Sequence, residues 1–190
     1  MKMNGFKKNK GILLLMAICV SAFANTGYIK GKAIFAQYLL VEAWQETKLN
    51  GQASKPWPWA DTFPVAELRV PQYDIEHIVL SGASGRNLAF GPGHLLSSSP
   101  LTQSGHIIIG GHRDTHFAFL QHLKIGDTIL LENKEGLIQT YQVDSITIHD
   151  IRKDRIQDFN TSAISLVTCY PFNSTEVGGP LRYIVNAFPV

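Results

Sequence analysis

Residues 127–148 contain two strand-like runs, Asp127-Thr-Ile-Leu-Leu-Glu132 and Gln139-Thr-Tyr-Gln-Val-Asp-Ser-Ile-Thr-Ile148, on either side of Asn133-Lys-Glu-Gly136. Runs rich in β-branched and aromatic residues, separated by a short cluster of turn formers, predict a β-hairpin. The same pattern extends outward in both directions. Upstream, Ile75-Glu-His-Ile-Val-Leu80 and His106-Ile-Ile-Ile109 are short apolar strands, with turns at Ser81-Gly-Ala-Ser-Gly85, Gly91-Pro-Gly93 and Gly110-Gly111. Downstream, Ile164-Ser-Leu-Val-Thr-Cys169 and Arg182-Tyr-Ile-Val-Asn186 complete the set. Many short strands at this spacing from Phe63 onward, with few helices between them, predict an all-β domain closed or nearly closed into a barrel.

The composition agrees with that reading. The chain has 190 residues, 45% hydrophobic and 17% charged. This suffices for one packed domain with an appendage and is too apolar for a disordered chain. Lys plus Arg number 17 and Asp plus Glu 15, a formal charge of +2. Such a balance supplies no electrostatic footprint for nucleic acid, so none is expected as a partner. The sixteen Gly and nine Pro residues favour a turn-rich body over a helical bundle.

The appendage is N-terminal. Lys2, Lys7, Lys8 and Lys10 precede the apolar run from Gly11 to Ala24. Positive charge before an apolar stretch keeps that end on the cytoplasmic side. Ala22-Phe-Ala24 resembles a cleavage site, so a removed signal peptide is one reading. A retained membrane helix is the preferred one, because Gly11 to Ile29 approaches the ~20 residues a bilayer needs and apolar character resumes at Ala33 to Val41. Ile18 makes Cys19 a poor lipidation site. In Ala33 to Lys48, Ile34, Tyr38, Val41 and Leu40, Trp44 recur at helical spacing. Lys55-Pro-Trp-Pro-Trp-Ala-Asp61 cannot continue a helix. The expected organisation is a basic stub and signal or anchor segment over 1–32, a juxtamembrane helix and Pro/Trp linker over 33–62, and a folded domain over 63–190. In either reading the C-terminal domain is delivered outside the cytoplasm.

Two cysteines, Cys19 and Cys169, leave one thiol for the folded body. A disulfide framework and a multi-cysteine metal site are thereby excluded. A lone Cys is most often a buried apolar thiol. Cys169, however, ends a strand and precedes Tyr170-Pro171, where the ladder must stop and the thiol can face a groove. Gly110-Gly111-His112 ends another strand in a turn that lifts an imidazole clear of the sheet, where its near-neutral pKa suits acid or base work. Arg182 interrupts an apolar strand and is expensive to bury unpaired; its guanidinium offers donors to an oxyanion. Alternation leaves open which sheet face it occupies. A metal site of His112, Asp114 and His116 with Cys169 is disfavoured, since its ligand spacing needs a helix where the glycines indicate a turn.

Ser165-Leu-Val-Thr-Cys169 resembles the sortase signature T-L-x-T-C, with Ser165 in place of the usual Thr. Gly111-His112 resembles the catalytic-histidine turn of sortases, the Arg182 strand resembles their arginine strand, and the order His, Cys, Arg matches. Trp57-Pro-Trp-Ala-Asp61 and Leu88-Ala-Phe-Gly-Pro-Gly-His94 are similar to a sortase subgroup of Gram-negative, often marine, proteobacteria. The resemblance covers about Pro64 to Val190. It implies a sortase-like closed β-barrel with short helices, preceded by the N-terminal membrane helix, and a cysteine transpeptidase and endopeptidase of the hydrolase class. Such an enzyme cuts an L-P-x-T-G-like sorting signal on exported proteins between Thr and Gly and passes the acyl group to an amine. By that resemblance Cys169 is the nucleophile, His112 the proton donor and Arg182 the oxyanion and substrate holder, with Thr168 and Ser165 in support. It also implies that 63–190 is the catalytic domain, facing the periplasm, with the anchor in a bacterial inner membrane; no metal or cofactor is implied. The loop with Arg152, Lys153, Asp154 and Arg155 falls where sortases shape their substrate groove. An L,D-transpeptidase expects Ser-His-Gly-Cys, and a papain-like enzyme expects Cys before His; neither pattern is present. The rival from another class is a non-catalytic, membrane-tethered β-barrel that binds an envelope partner.

Overall fold

The strand set closes on itself. A computed structural model describes residues 4–101, 103–153, 156–174 and 178–190. Its elements are helix α1 (Asn4–Asn50), β1 (Pro64–Val70), β2 (Ile75–Ser81), the one-turn helix α2 (Gly85–Leu88), β3 (Gly93–His94), β4 (His106–Gly110), β5 (Thr128–Asn133), β6 (Ile138–Asp150), β7 (Ala163–Cys169) and β8 (Leu181–Pro189). The strands form a closed barrel in the order β1-β2-β3-β4-β7-β8-β6-β5. The hairpin expected around Asn133–Gly136 is β5–β6, with Thr128 opposite Gln142. Asn133 shapes its turn by accepting from the Glu135 and Leu137 amides.

Period-two alternation decides which side chains fill the barrel. Ala66, Leu68 and Val70 of β1, Ile107 and Ile109 of β4, Ile164 and Leu166 of β7, and Val185 and Ala187 of β8 share one buried core with Phe117 and Leu120. The intervening residues of β4, β7 and β8 therefore belong to the outer face. Strands β1 and β3 were not singled out in the sequence. The first follows directly on the linker, and the second is only two residues long.

Two compact units divide the chain after Tyr38. In the first, α1 carries the exposed apolar residues Ile12 to Phe23, and from Lys10 the helix is long and apolar enough to cross a membrane. In the second, the last turns of α1 dock on the barrel. Leu40 and Trp44 are fully buried against Ile78 and Leu80 of β2, with Phe90 packed beside them. Trp44 donates to Glu67 at 3.4 Å, and Lys48 pairs with Glu132 at 3.1 Å. Val41 stays exposed, so the helix presents its Leu40/Trp44 stripe to the sheet. α1 ends at Gly51, whose φ of +69° suits a glycine.

Candidate active site

Strand direction brings distant residues to one barrel end. Strands β4 and β7 run parallel, with His106 opposite Ala163 and Gly110 opposite Val167. Strand β8 is antiparallel to β7 and pairs Cys169 with Arg182. The end of β4, the end of β7 and the start of β8 thus lie side by side. Neighbouring strands are ~4.8 Å apart, so the backbone of this row spans two such spacings.

The His112 turn is fastened to that row by its backbone. The Gly111 amide donates to Val167 O at 3.1 Å, and Thr168 Oγ1 donates to Gly111 O at 2.7 Å. His112 follows in step with Cys169. The turn closes where the His112 carbonyl accepts from the Phe117 amide at 3.0 Å. Phe117 plugs the barrel beneath it, and a Cβ on Gly111 would sit 2.5 Å from the Phe117 ring. A glycine is required there by close approach. The His112 side chain is exposed, Cys169 is partly exposed, and Thr168 is buried.

Cys169 and Arg182 both stand on the outer face, because Leu166 and Val185 on the same strands point inward. This decides the face of Arg182, which alternation alone had left open. Its Nη1 donates to Gly179 O at 2.6 Å and to Leu181 O at 2.9 Å. His149 of β6 is the Cα partner of Arg182 and extends the row by one strand. An open depression of about 540 Å³, lined by Ser81, Ala83 and Leu95 among others, lies beside the end of β4. The Ala83 and Leu95 side chains come within 3.7 Å of a Cβ built on Gly110.

Ser165 lies apart from the thiol, four residues up the same strand and fully buried. It donates to Asn186 Oδ1 at 2.6 Å, and His106 Nε2 sits 2.7 Å from its oxygen. His106 Nδ1 in turn faces Asp158 Oδ1 at 3.2 Å, and Phe159 packs edge-on against the His106 ring. The network ties the β6–β7 connection to the barrel wall. Asp154 and Arg155 of that connection lie outside the described residues.

Two further histidines flank the turn. The His116 and His77 rings meet edge to face, 5.4 Å between centroids. Burial pulls His116 below the ordinary imidazole value; the Ala89 carbonyl opposes this and the nearby charge of His112 adds to it. Burial, then the charge of His116, likewise lowers His77. Among the described residues no three or more His, Cys, Asp or Glu side chains gather as a metal ion would need.

Sequence reasoning passed over Arg113. It is 8% exposed, and it donates from Nη1 to Pro171 O at 2.8 Å and from Nη2 to Ser174 O at 2.6 Å. Its signal was its place directly after the turn histidine. Its partners, being backbone carbonyls, leave no mark in a sequence.

A Sortase domain model matches residues 68–190. The chain belongs to the sortase family. Sortase D of Bacillus subtilis (strain 168) is 31% identical over 120 residues, 62% of this chain and 60% of that protein. Sortase A of Listeria monocytogenes serovar 1/2a is 27% identical over 108 residues, 55% of this chain and 49% of that protein. The chain thus spans about half to three fifths of the curated sortases it matches. Among solved structures, sortase A from Corynebacterium diphtheriae superposes with a TM-score of 0.59 at 27% identity, covering 70% of this chain and 63% of that one. A Clostridium perfringens sortase D5 has a TM-score of 0.61 at 19% identity over 80% of this chain and 93% of its own, a likeness of fold alone. The closed barrel expected from the strand pattern is the sortase barrel.

Proposed function

We propose that the protein is a sortase-type cysteine transpeptidase of the hydrolase class. It cleaves an L-P-x-T-G-like sorting signal on exported proteins between Thr and Gly. The observation that supports this reading is the backbone register across β4, β7 and β8, which sets the end of β4, just before His112, beside the end of β7 and pairs Cys169 with Arg182.

In the proposed step the Cys169 thiolate adds to the threonine carbonyl, forming a carbon–sulfur bond while the carbonyl oxygen takes the electron pair. Arg182 offers donors to that oxygen, the place where charge develops in acyl transfer. Its bonds to Gly179 and Leu181 hold the planar group in position. Collapse of the intermediate breaks the carbon–nitrogen bond, and His112 gives its proton to the departing glycine amine. An acceptor amine then displaces the sulfur, and water in its place gives hydrolysis. Thr168 supports the site by fixing the Gly111 carbonyl, and Ser165 supports the wall further along β7. The N-terminal helix anchors the domain in an inner membrane with its basic end in the cytoplasm and the barrel in the periplasm. The Gram-negative subgroup rests on the Trp57–Asp61 and Leu88–His94 stretches.

The test is turnover of a fluorogenic sorting peptide by the full chain in detergent micelles, with an amine acceptor present. Wild type turns over and Cys169→Ala does not. Equal behaviour of the two removes the enzyme reading and leaves the membrane-tethered binding module.

A further inference from the structure

We propose that Arg113 is a positioning residue that sets the spacing between the His112 imidazole and the Cys169 sulfur. The inference rests on the transpeptidase reading above.

The turn carrying His112 and the segment leaving Cys169 belong to different parts of the chain. Thr168 and the Gly111 amide fasten the turn on its strand side. Those bonds lie before His112 and before Cys169, so they fix where each element ends. They do not fix how the chain continues beyond the two reacting groups. Arg113 supplies that second attachment. Its backbone adjoins His112, and its guanidinium crosses to the carbonyls of Pro171 and Ser174, two and five residues past Cys169. Asp114 Oδ1 lies 3.4 Å from Nε, a third contact on the same planar group.

The geometry suits arginine alone. Two nitrogens of one rigid fork reach two different carbonyls, which a lysine ammonium cannot reproduce with the same spacing. Arg113 is also nearly buried, so its bonds are little diluted by water. The segment it grips is also held on Tyr183, where Phe172 packs at 5.1 Å and Tyr170 stacks at 6.1 Å between ring centroids. The aromatic packing seats the segment on the barrel, and Arg113 ties it to the histidine turn. Without this tie, the imidazole and thiol can each keep their own strand yet drift relative to one another. A misplacement of ~1 Å costs on the order of 10²-fold in a reaction that depends on alignment.

The experiment uses the full chain in micelles with Cys19→Ala as parent, so that Cys169 is the one thiol. Arg113→Lys and Arg113→Gln are compared with it for kcat and KM on the sorting peptide and for the rate of Cys169 alkylation by iodoacetamide. The expected result is a kcat lowered on the order of 10²-fold, KM within about twofold, and an altered alkylation rate in both variants. Parental kcat in Arg113→Lys, or a change confined to KM with unaltered alkylation, overturns the proposal. So does loss of cooperative unfolding in both variants, which makes Arg113 a stability residue. If the parent itself does not turn over, the transpeptidase reading fails, while the alkylation arm still reports whether Arg113 governs the surroundings of the thiol.

Discussion

Arg182 shows how a single side chain is defined by its backbone partners. Its bonds to the carbonyls of Gly179 and Leu181 both use Nη1, so one edge of the group is held in place. A lysine has one nitrogen for every task. On the proposed mechanism Arg182→Lys lowers kcat by about 10²–10³-fold, the effect of removing an oxyanion donor, with stability lowered by only about 1 kcal/mol for the lost backbone bonds. Steady-state kinetics beside thermal melts check this, and near-parental turnover removes the oxyanion role. The type of residue was legible in the sequence: a Cys before Tyr-Pro, a His after Gly-Gly and an Arg in an apolar strand each stood out. The orientation of Arg182 was not, because alternation fixes which residues share a face and only the core decides which face is inside. Arg113 escaped notice because its partners are main-chain oxygens.

At the scale of elements, the pairing of β4 with β7 matters most. Parallel pairing with His106 opposite Ala163 joins strands far apart in sequence and sends both C-terminal ends the same way. Nothing in either strand's own pattern states that neighbour, so the sequence was compatible with convergence of His112 and Cys169 on one barrel face and gave no path to it. The same pairing explains Ser165. On the outer face it meets His106 from β4 and Asn186 from β8, and Asp158 and Phe159 cover them from the β6–β7 connection. The hydroxyl that resembled a signature position is here the hub of a buried polar network. Ser165→Ala leaves Asn186 Oδ1 and His106 Nε2 without that partner, at a cost of about 1–3 kcal/mol in stability. Chemical denaturation measures the loss. The variant should also raise KM for the sorting peptide more than it lowers kcat, since the loosened part is a wall of the outer face. A stability equal to wild type shows that the network does not hold the connection.

For the whole molecule, two sets of buried or half-buried titratable groups pull stability in opposite directions with pH. Glu67, on β1 where α1 docks, is pushed up to about 7, first by burial, then by the hydrogen bond and charge of Glu76, with the Trp44 bond opposing and Glu132 adding to the rise. The folded chain therefore holds a proton on Glu67 that the unfolded chain releases above the ordinary value of 4.5. Stability from this group is full below the unfolded value and falls as pH rises to about 7. His77, His94 and His116 are lowered, each chiefly by burial. They bind protons more readily when unfolded, so their contribution is full above the ordinary value of 6.5 and is lost as pH falls below it. Glu67→Gln replaces the titrating carboxyl by a permanently neutral carboxamide and cancels the first trend alone. Relative to wild type it should raise the melting temperature more at pH 8 than at pH 5, where wild-type Glu67 is already protonated. The variant's own profile should then fall monotonically with acid under the histidines. Melts of both proteins from pH 5 to pH 8 check this. A difference between variant and wild type that stays constant across the range means that Glu67 does not titrate in the docked interface, and that Trp44 of α1 binds a carboxylate there at every pH.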